Sequence, residues 1–154
     1  MTEPCWLDIH DICAIHGEIL AESGGTSGIL NWGSLDSSVN KPKNLYYYSN
    51  GEATLYELAA AYGYGFVKNH CFVDGNKRVA LIAVYTFLAV NGIELVASEV
   101  DAANFFLYLA ASLESQDKLM QELVEWLKAN SEINGCEARS IITKSDRSFQ
   151  ESLS

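Results

Sequence analysis

The chain has 154 residues, of which 49% are hydrophobic and 19% charged, so it is suited to fold as one domain around a single core. Its net charge of −10 disfavours non-specific nucleic-acid binding, because that function needs a basic surface. No apolar stretch reaches bilayer length and the N-terminus has no basic region followed by an apolar one, so we expect a cytoplasmic protein without membrane contact.

Helical periodicity dominates the sequence and predicts an all-α fold. The helices are expected near residues 3–21, 34–40, 52–68, 76–90, 98–113 and 115–130. Gly24-Gly25 ends the first of them, and the Lys41-Pro42 step is expected to end the second, because the residue before a proline avoids the helical conformation. Ser49 or Asn50 is expected to cap the third helix.

The helix over residues 76–90 is apolar nearly all round, so we expect it to be the buried central helix. The glycine-rich segment from Gly24 to Gly33 is too apolar for a plain linker and is expected to form an ordered loop or a short hairpin. Beyond Ser131 the sequence becomes polar and loses its periodicity. Residues 1–132 are therefore expected to form the domain, and residues 133–154 a polar, frayed tail.

The cysteines give no sign of a metal site or of a disulfide framework. The chain has Cys5, Cys13, Cys71 and Cys136, which form no CxxC pair and no cluster with histidine. Reduced thiols in a cytoplasmic protein are the simpler interpretation.

The segment from His70 to Arg78 reads His-Cys-Phe-Val-Asp-Gly-Asn-Lys-Arg, and its groups suit phosphate chemistry. A histidine can take a proton from a hydroxyl near neutral pH, and an aspartate can hold Mg²⁺ while phosphates supply other ligands. Glycine at a helix N-terminus lets unpaired N–H groups approach an anion, and the Lys-Arg pair adds positive charge. The segment therefore predicts a phosphoryl-transfer site.

Each residue of this segment also has a structural interpretation. His70 can be a structural residue at a helix end, Asp74 can be an N-cap, and Gly75-Asn76 can be a simple turn. Lys77-Arg78 can be a solvated first helical turn, although cations at a helix N-terminus oppose the helix dipole by about 0.3–1 kcal/mol each. One phosphate ligand accounts for all of these residues together, so we favour the phosphoryl-transfer interpretation.

The pattern His70-x-Phe72-x-Asp74-Gly75-Asn76-Lys77-Arg78 resembles the signature of the Fic/Doc superfamily, and in particular of its Doc (death-on-curing) branch. The resemblance covers residues 8–130. It includes Gly24-Gly25-x-x-Gly28-Ile29, Leu35, Pro42, Leu58-Ala59-Ala60-x-Tyr62, Asn69, Phe87-Leu88-x-x-Asn91-Gly92 and Trp126-Leu127. It implies an all-α Fic fold, a compact bundle of about six helices with a buried central helix and a short flap loop or hairpin.

The resemblance also implies a role for each residue of the motif. His70 would be the general base on a target hydroxyl, Asp74 would bind Mg²⁺, and Phe72 would anchor the loop in the core. The phosphates of ATP would be held by the backbone at Gly75 and Asn76, by the Asn76 side chain and by Lys77 and Arg78.

Members of the Doc branch transfer the terminal phosphate of ATP to a threonine of elongation factor Tu, which stops translation, and a small antitoxin neutralises them. The resemblance therefore implies a toxin with this translation factor as its protein substrate. Lys77 and Leu81 stand where AMP-transferring relatives have a glycine and a second arginine, which favours phosphate over AMP transfer. The alternatives are AMP transfer to a protein hydroxyl and a catalytically weak, nucleotide-binding regulatory module.

Several positions depart from the pattern of the family. Cys71 replaces a usual proline, which would loosen the loop beside the base, and Val79 replaces a threonine. Leu30-Asn31 stands where Arg-Asp is usual, in the loop that resembles a flap for docking a target segment. The candidate docking residues are Gly28, Ile29, Leu30 and Trp32, and the alternative is that the apolar ones simply pack on the core.

Many Fic proteins carry an inhibitory helix with a Ser/Thr-x-x-x-Glu pattern. No glutamate of this chain has a serine or threonine four positions before it, so we do not expect self-inhibition of that kind. The expected inhibitor is a separate antitoxin segment that covers the cleft near His70 as an amphipathic helix.

Overall fold

The structure is a computed structural model that describes residues 2–133. Its helices are α1 (Ile9–Ser23), α2 (Trp32–Tyr48), α3 (Leu55–Lys68), α4 (Asn76–Val90), α5 (Glu99–Ala111) and α6 (Gln116–Ala129), and its strands are β1 (Ile93–Leu95) and β2 (Ser131–Ile133). The predicted all-α fold is confirmed, with one small sheet added. Of the predicted tail, Ile133 lies in β2, and residues 134–154 lie outside the described residues. None of the described helices is long and apolar enough to cross a bilayer.

Local capping residues begin most of the helices. Asp8 and Asp11 form a reciprocal capping box that begins α1 at Ile9, later than the predicted start. The predicted cap of α3 at Ser49 or Asn50 is wrong, because Thr54 caps this helix and Glu57 completes a second capping box. The predicted helix starts at Ser98 and Ser115 are confirmed, and each serine accepts a backbone N–H from three residues ahead.

The predicted end of the second helix at the Lys41-Pro42 step is also wrong. α2 continues to Tyr48 and contains Pro42 as a buried residue inside the helix. An internal proline costs a helix about 3 kcal/mol or more, through a lost hydrogen bond and a steric clash. Burial of the inner face of α2 offsets this cost, because Tyr46, beyond the proline, is buried and packs edge-on against Trp6.

The buried central helix is α3, whereas the sequence favoured the helix over residues 76–90. α3 packs against α2, α4, α5 and α6, and only Glu57, Tyr64 and Lys68 of its residues are not buried. α4 is buried on one side but exposes Tyr85 and Val90. Consecutive helices α3 and α4 pack closely together, so the loop between them is held between two core helices. That loop carries the motif.

The small sheet was not predicted. β1 and β2 run antiparallel, with Ile93 opposite Ile133 and Leu95 opposite Ser131. The sheet ties the segment after α4 to the segment after α6, and Ile93 is fully buried. The motif lies at the N-terminus of α4, whereas β1 follows its C-terminus, about 22 Å away at a rise of 1.5 Å per residue. The sheet therefore has no part in the site.

Candidate active site

His70 follows the C-terminus of α3 and is exposed to solvent. Its backbone φ of +46° lies in the left-handed region, which side chains other than glycine seldom adopt. The residues on either side hold it there, because Asn69 donates to Ser38 Oγ at 2.9 Å and the Cys71 thiol lies 3.7 Å from the same oxygen. Backbone strain that is held in place in this way is typical of functional sites.

Cys71 is buried beneath the loop, where the expected loosening is not seen. Its carbonyl oxygen accepts hydrogen bonds from the N–H groups of Leu30 and Asn31 at 2.9 and 3.3 Å. The flap, which is the glycine-rich segment from Gly24 to Gly33, therefore holds the loop at Cys71, the residue that replaces the usual proline. Burial raises the pKa of the Cys71 thiol, and the hydrogen bond to Ser38 opposes this rise only in part. Cys71 therefore packs as a small apolar residue and is not a second nucleophile beside His70.

Phe72 and Asn76 close the loop upon itself. Phe72 is 1% exposed, which confirms that it anchors the loop in the core. The Asn76 side chain bonds both backbone groups of Phe72: Oδ1 accepts the N–H at 3.0 Å, and Nδ2 donates to the carbonyl oxygen at 2.9 Å. This amide therefore fixes the loop, and the second Nδ2–H and the backbone N–H of Asn76 remain to meet a phosphate.

Asp74 holds its carboxylate at the start of α4 without capping that helix. Its Oδ1 accepts the Gly75 N–H at 2.9 Å, and its Oδ2 accepts the Thr26 N–H at 3.3 Å. The N-cap is Gly75, in the left-handed conformation with a φ of +85°, and none of the described side chains caps α4. The interpretation of Asp74 as an N-cap is thus wrong. The carboxylate is oriented by two N–H groups and keeps lone pairs for a cation.

Gly25 brings the turn after α1 against this carboxylate. Its φ is +118°, and a side-chain Cβ at this position would lie 2.8 Å from Asp74 Oδ2. The N–H of Thr26 can therefore reach the carboxylate only because residue 25 has no side chain.

Positive charge lies at the first turn of α4. Lys77 and Arg78 are exposed, and Arg78 Nη1 donates to Ser23 Oγ at 2.5 Å. No carboxylate within residues 2–133 pairs with the ammonium group of Lys77. With the uncapped N–H groups of α4, these cations form a site that attracts an anion.

One cleft of about 410 Å³ brings the predicted catalytic, metal-binding and phosphate-binding residues together, whereas the four candidate docking residues do not line it. It is lined by His70, Asp74, Gly75, Asn76, Lys77 and Arg78, with Val67, Val73 and Ala110 as its apolar part. No described group of three or more His, Cys, Asp or Glu side chains could hold a metal ion. Asp74 would therefore be a lone carboxylate ligand, which fits Mg²⁺, because this ion keeps several waters and takes phosphate oxygens as its other ligands.

The flap lies alongside the motif loop. Ile29 pairs with Phe72 in a single antiparallel bridge, and the Val73 N–H donates to the Gly28 carbonyl oxygen at 3.1 Å. Ile29 is half-buried, whereas Leu30 and Trp32 are 62% and 63% exposed. The alternative of simple core packing therefore holds for Ile29 alone, and the other two side chains are available for contact.

α1 and the turn after it contribute to the site, which was not predicted from the sequence. His16 and Ser23 of α1 and Thr26 of the turn all contact the motif, and His16 is buried beneath it. One signal was present in the sequence, namely a histidine among the isoleucines on the apolar face of α1. The partners of these residues lie some fifty positions further along the chain, and no local pattern identifies them.

The motif and the helices around it recur in known proteins. The sequence profile of the Fic/DOC family matches residues 6–88, which run from the segment before α1 into α4 and include the flap and the motif. The chain belongs to the Fic/Doc family.

Two relatives within the Fic/Doc family place the chain in its Doc branch. Toxin Doc of Mycolicibacterium smegmatis is 34% identical over 131 residues, which cover 84% of this chain and 97% of the relative. Protein kinase doc of Escherichia phage P1 is 29% identical over 89 residues, which cover 57% of this chain and 69% of the relative.

Proposed function

We propose that the chain is a Doc-type toxin of a toxin–antitoxin module, which transfers the γ-phosphate of ATP to a serine or threonine hydroxyl of a target protein. The observation that carries this proposal is that an exposed histidine, an oriented carboxylate and the cationic N-terminus of α4 line the same cleft. The names of its relatives, Toxin Doc and Protein kinase doc, support the toxin and the phosphotransferase parts respectively.

In the proposed reaction His70 acts as the general base. As the target hydroxyl oxygen bonds to the γ-phosphorus, its proton passes to the imidazole, the bond from phosphorus to the bridging oxygen breaks, and ADP leaves with that electron pair. Lys77, Arg78 and the N–H groups of α4 stabilise the charge on the phosphate oxygens. Mg²⁺ held by Asp74 would neutralise further phosphate charge when bound.

The side chains on α4 favour phosphate over AMP transfer. Lys77 lines the cleft at the position where AMP-transferring relatives have a glycine. Leu81, one turn further along, is partly buried against the core and brings no second cation. Among the described residues, the cleft therefore has cations for one phosphate group at the N-terminus of α4 and no further arginine that could bind the other end of a triphosphate.

The protein partners are proposed from the family. Elongation factor Tu is the proposed target, met in the cytoplasm, and a segment of it would dock along the flap, where Leu30 and Trp32 are exposed. An antitoxin segment is proposed to cover the cleft as an amphipathic helix and to block access to His70.

Radiolabel transfer tests the reaction. With Mg²⁺ and elongation factor Tu, γ-labelled ATP should label the factor, and His70→Ala should reduce the rate by about 10²–10⁴-fold, the usual contribution of a general base. The matched control is His10→Ala, which removes an exposed histidine of α1 that does not line the cleft. Label from α-labelled ATP would indicate AMP transfer instead. Nucleotide binding without label from either source would indicate a regulatory module.

A further inference from the structure

His16 is a buried polar residue on the apolar face of α1. It is 7% exposed, and its Nε2 lies 2.9 Å from the carbonyl oxygen of Asp74, which is 58 positions further along the chain. A carbonyl oxygen can only accept a hydrogen bond, so the contact requires a proton on Nε2 of the ring. His16 thereby donates directly to the backbone of the motif.

The imidazole ring makes a second contact with the motif. It stacks on the ring of Phe72, with the ring centroids 3.9 Å apart and the planes inclined by 15°. A Cβ built at Gly75 would lie 3.7 Å from His16 Cδ2, so this ring also lies directly beside Gly75. One side chain of α1 thus meets the motif at Phe72, at Asp74 and at Gly75.

The hydrogen bond acts on the peptide group that joins Asp74 to Gly75. In the observed orientation its carbonyl oxygen points to His16 and its N–H points to Asp74 Oδ1, at 2.9 Å. Glycine adopts both signs of φ readily, so a peptide followed by glycine is prone to flip. A flip would turn the carbonyl oxygen toward the Asp74 carboxylate, where two negative oxygens repel, and would move that carboxylate and the start of α4.

We infer that His16 is a positioning residue, which holds the Asp74–Gly75 peptide so that the Asp74 carboxylate and the N–H groups of α4 point into the cleft. The inference rests on the proposed function, since it assigns His16 to the support of the Mg²⁺ and phosphate site. His16 does not line the cleft and so has no direct part in the transfer.

Substitutions at His16 separate its hydrogen bond from its packing. His16→Phe keeps a stacked ring and removes the donor, whereas His16→Gln keeps an amide N–H at the equivalent distance and removes the ring. Ile15→Val is the matched control, because it trims a buried core side chain on the same helix and leaves the imidazole of His16 in place. Thermal unfolding of the three variants shows how much stability each one loses.

Two measurements then test the role of His16. Long-range ¹H–¹⁵N spectra of the full chain should find the His16 proton on Nε2, and the Gly75 amide signal should shift in His16→Phe but not in Ile15→Val. In calorimetric titrations of Mg²⁺ with ATP, His16→Phe should raise the half-saturating Mg²⁺ concentration by about tenfold, as expected for one lost hydrogen bond. His16→Gln should stay within about threefold of the wild type.

A proton on Nδ1 with none on Nε2 would overturn the inference, and so would a Gly75 signal and a Mg²⁺ dependence that are both unchanged in His16→Phe. So would an Ile15→Val variant that reproduced both effects, because His16 would then contribute only to packing. If the wild type bound no Mg²⁺ with ATP, the proposed function would fail. The tautomer and the Gly75 signal would still decide whether His16 positions the loop.

Discussion

Gly25 is the residue whose missing side chain shapes the proposed metal site most directly. In Gly25→Ala the new Cβ would meet Asp74 Oδ2 at 2.8 Å, and the φ of +118° would be strained as well. We expect the carboxylate to move and the half-saturating Mg²⁺ concentration to rise at least about tenfold, with a loss of stability of about 1–3 kcal/mol. Calorimetry and thermal unfolding measure the two effects.

Gly17→Ala is the matched control for this substitution. Gly17 lies within α1, and apart from its chain neighbours and the backbone of α1 itself no atom would lie within 4 Å of a Cβ there. Alanine in a helix interior is more stable than glycine by about 1 kcal/mol, so this variant should gain stability and keep its Mg²⁺ dependence. If Gly25→Ala also kept its Mg²⁺ dependence, the placement of Asp74 would not matter for the metal.

Cys71 is next to His70 in sequence, yet we expect its thiol to be inert. Burial raises its pKa, so less of the reactive thiolate is present at a given pH than in an exposed cysteine. Iodoacetamide at pH 8 should therefore alkylate the exposed Cys5 in the native protein and leave Cys71 unmodified. Mass spectrometry of the peptides distinguishes the two sites. Alkylation of Cys71 at the rate of Cys5 would mean that the loop opens, and both sites should react in urea.

At the scale of elements, Tyr62 of α3 ties the segment before α1 to the central helix. Its hydroxyl accepts the Leu7 N–H at 3.1 Å and donates to the Leu7 carbonyl oxygen at 3.3 Å, and both residues are buried. Tyr62→Phe leaves both backbone groups unsatisfied, so we expect a loss of about 1–3 kcal/mol in the free energy of unfolding. Urea denaturation measures it. Tyr64→Phe on the same helix should change stability little, because Tyr64 is only partly buried.

Because of the same tyrosine, the free energy of unfolding should decrease at high pH. Burial raises the pKa of Tyr62 to about 12, compared with an ordinary value of 10.0. The unfolded chain therefore loses this proton before the folded protein does, so the stabilisation is complete below pH 10 and is lost as the pH rises toward 12. In urea titrations at several pH values, Tyr62→Phe should lack this part of the decrease in the free energy of unfolding. An identical pH profile in both proteins would contradict the buried, neutral phenol.

Helix ends could be predicted where the cap is a local pattern. The serines that begin α5 and α6 bond a backbone N–H only three residues away, so short sequences suffice to identify them. The path of α2 through Pro42 depends on the burial of Tyr46 against Trp6, and Trp6 lies far away in the sequence. The sheet was missed for a related reason, because strands of three residues are too short to show an alternating pattern.

For the molecule as a whole, the exposure of the proposed base leads us to expect that the free chain is active. His70 is open to solvent, so no described segment shields it. Expression without an antitoxin should arrest growth, and His70→Ala should relieve the arrest at equal protein levels, because the proposed transfer stops translation. Colony counts and immunoblots provide the measurement. Growth unaffected by the active chain would favour a regulatory module, whereas arrest by His70→Ala would show that toxicity does not need the base.

The sequence alone determined the motif and predicted a chemistry for it, because the groups from His70 to Arg78 are consecutive and their spacing is read directly. It also determined the helical class, because the apolar period is local. Only the tertiary structure decided how the motif is held. His16, Ser23 and Thr26 support Asp74 and Arg78, and Ser38 fixes the neighbours of His70. These contacts join residues far apart in the chain, so they exist only once α1 and α2 have packed beside the loop.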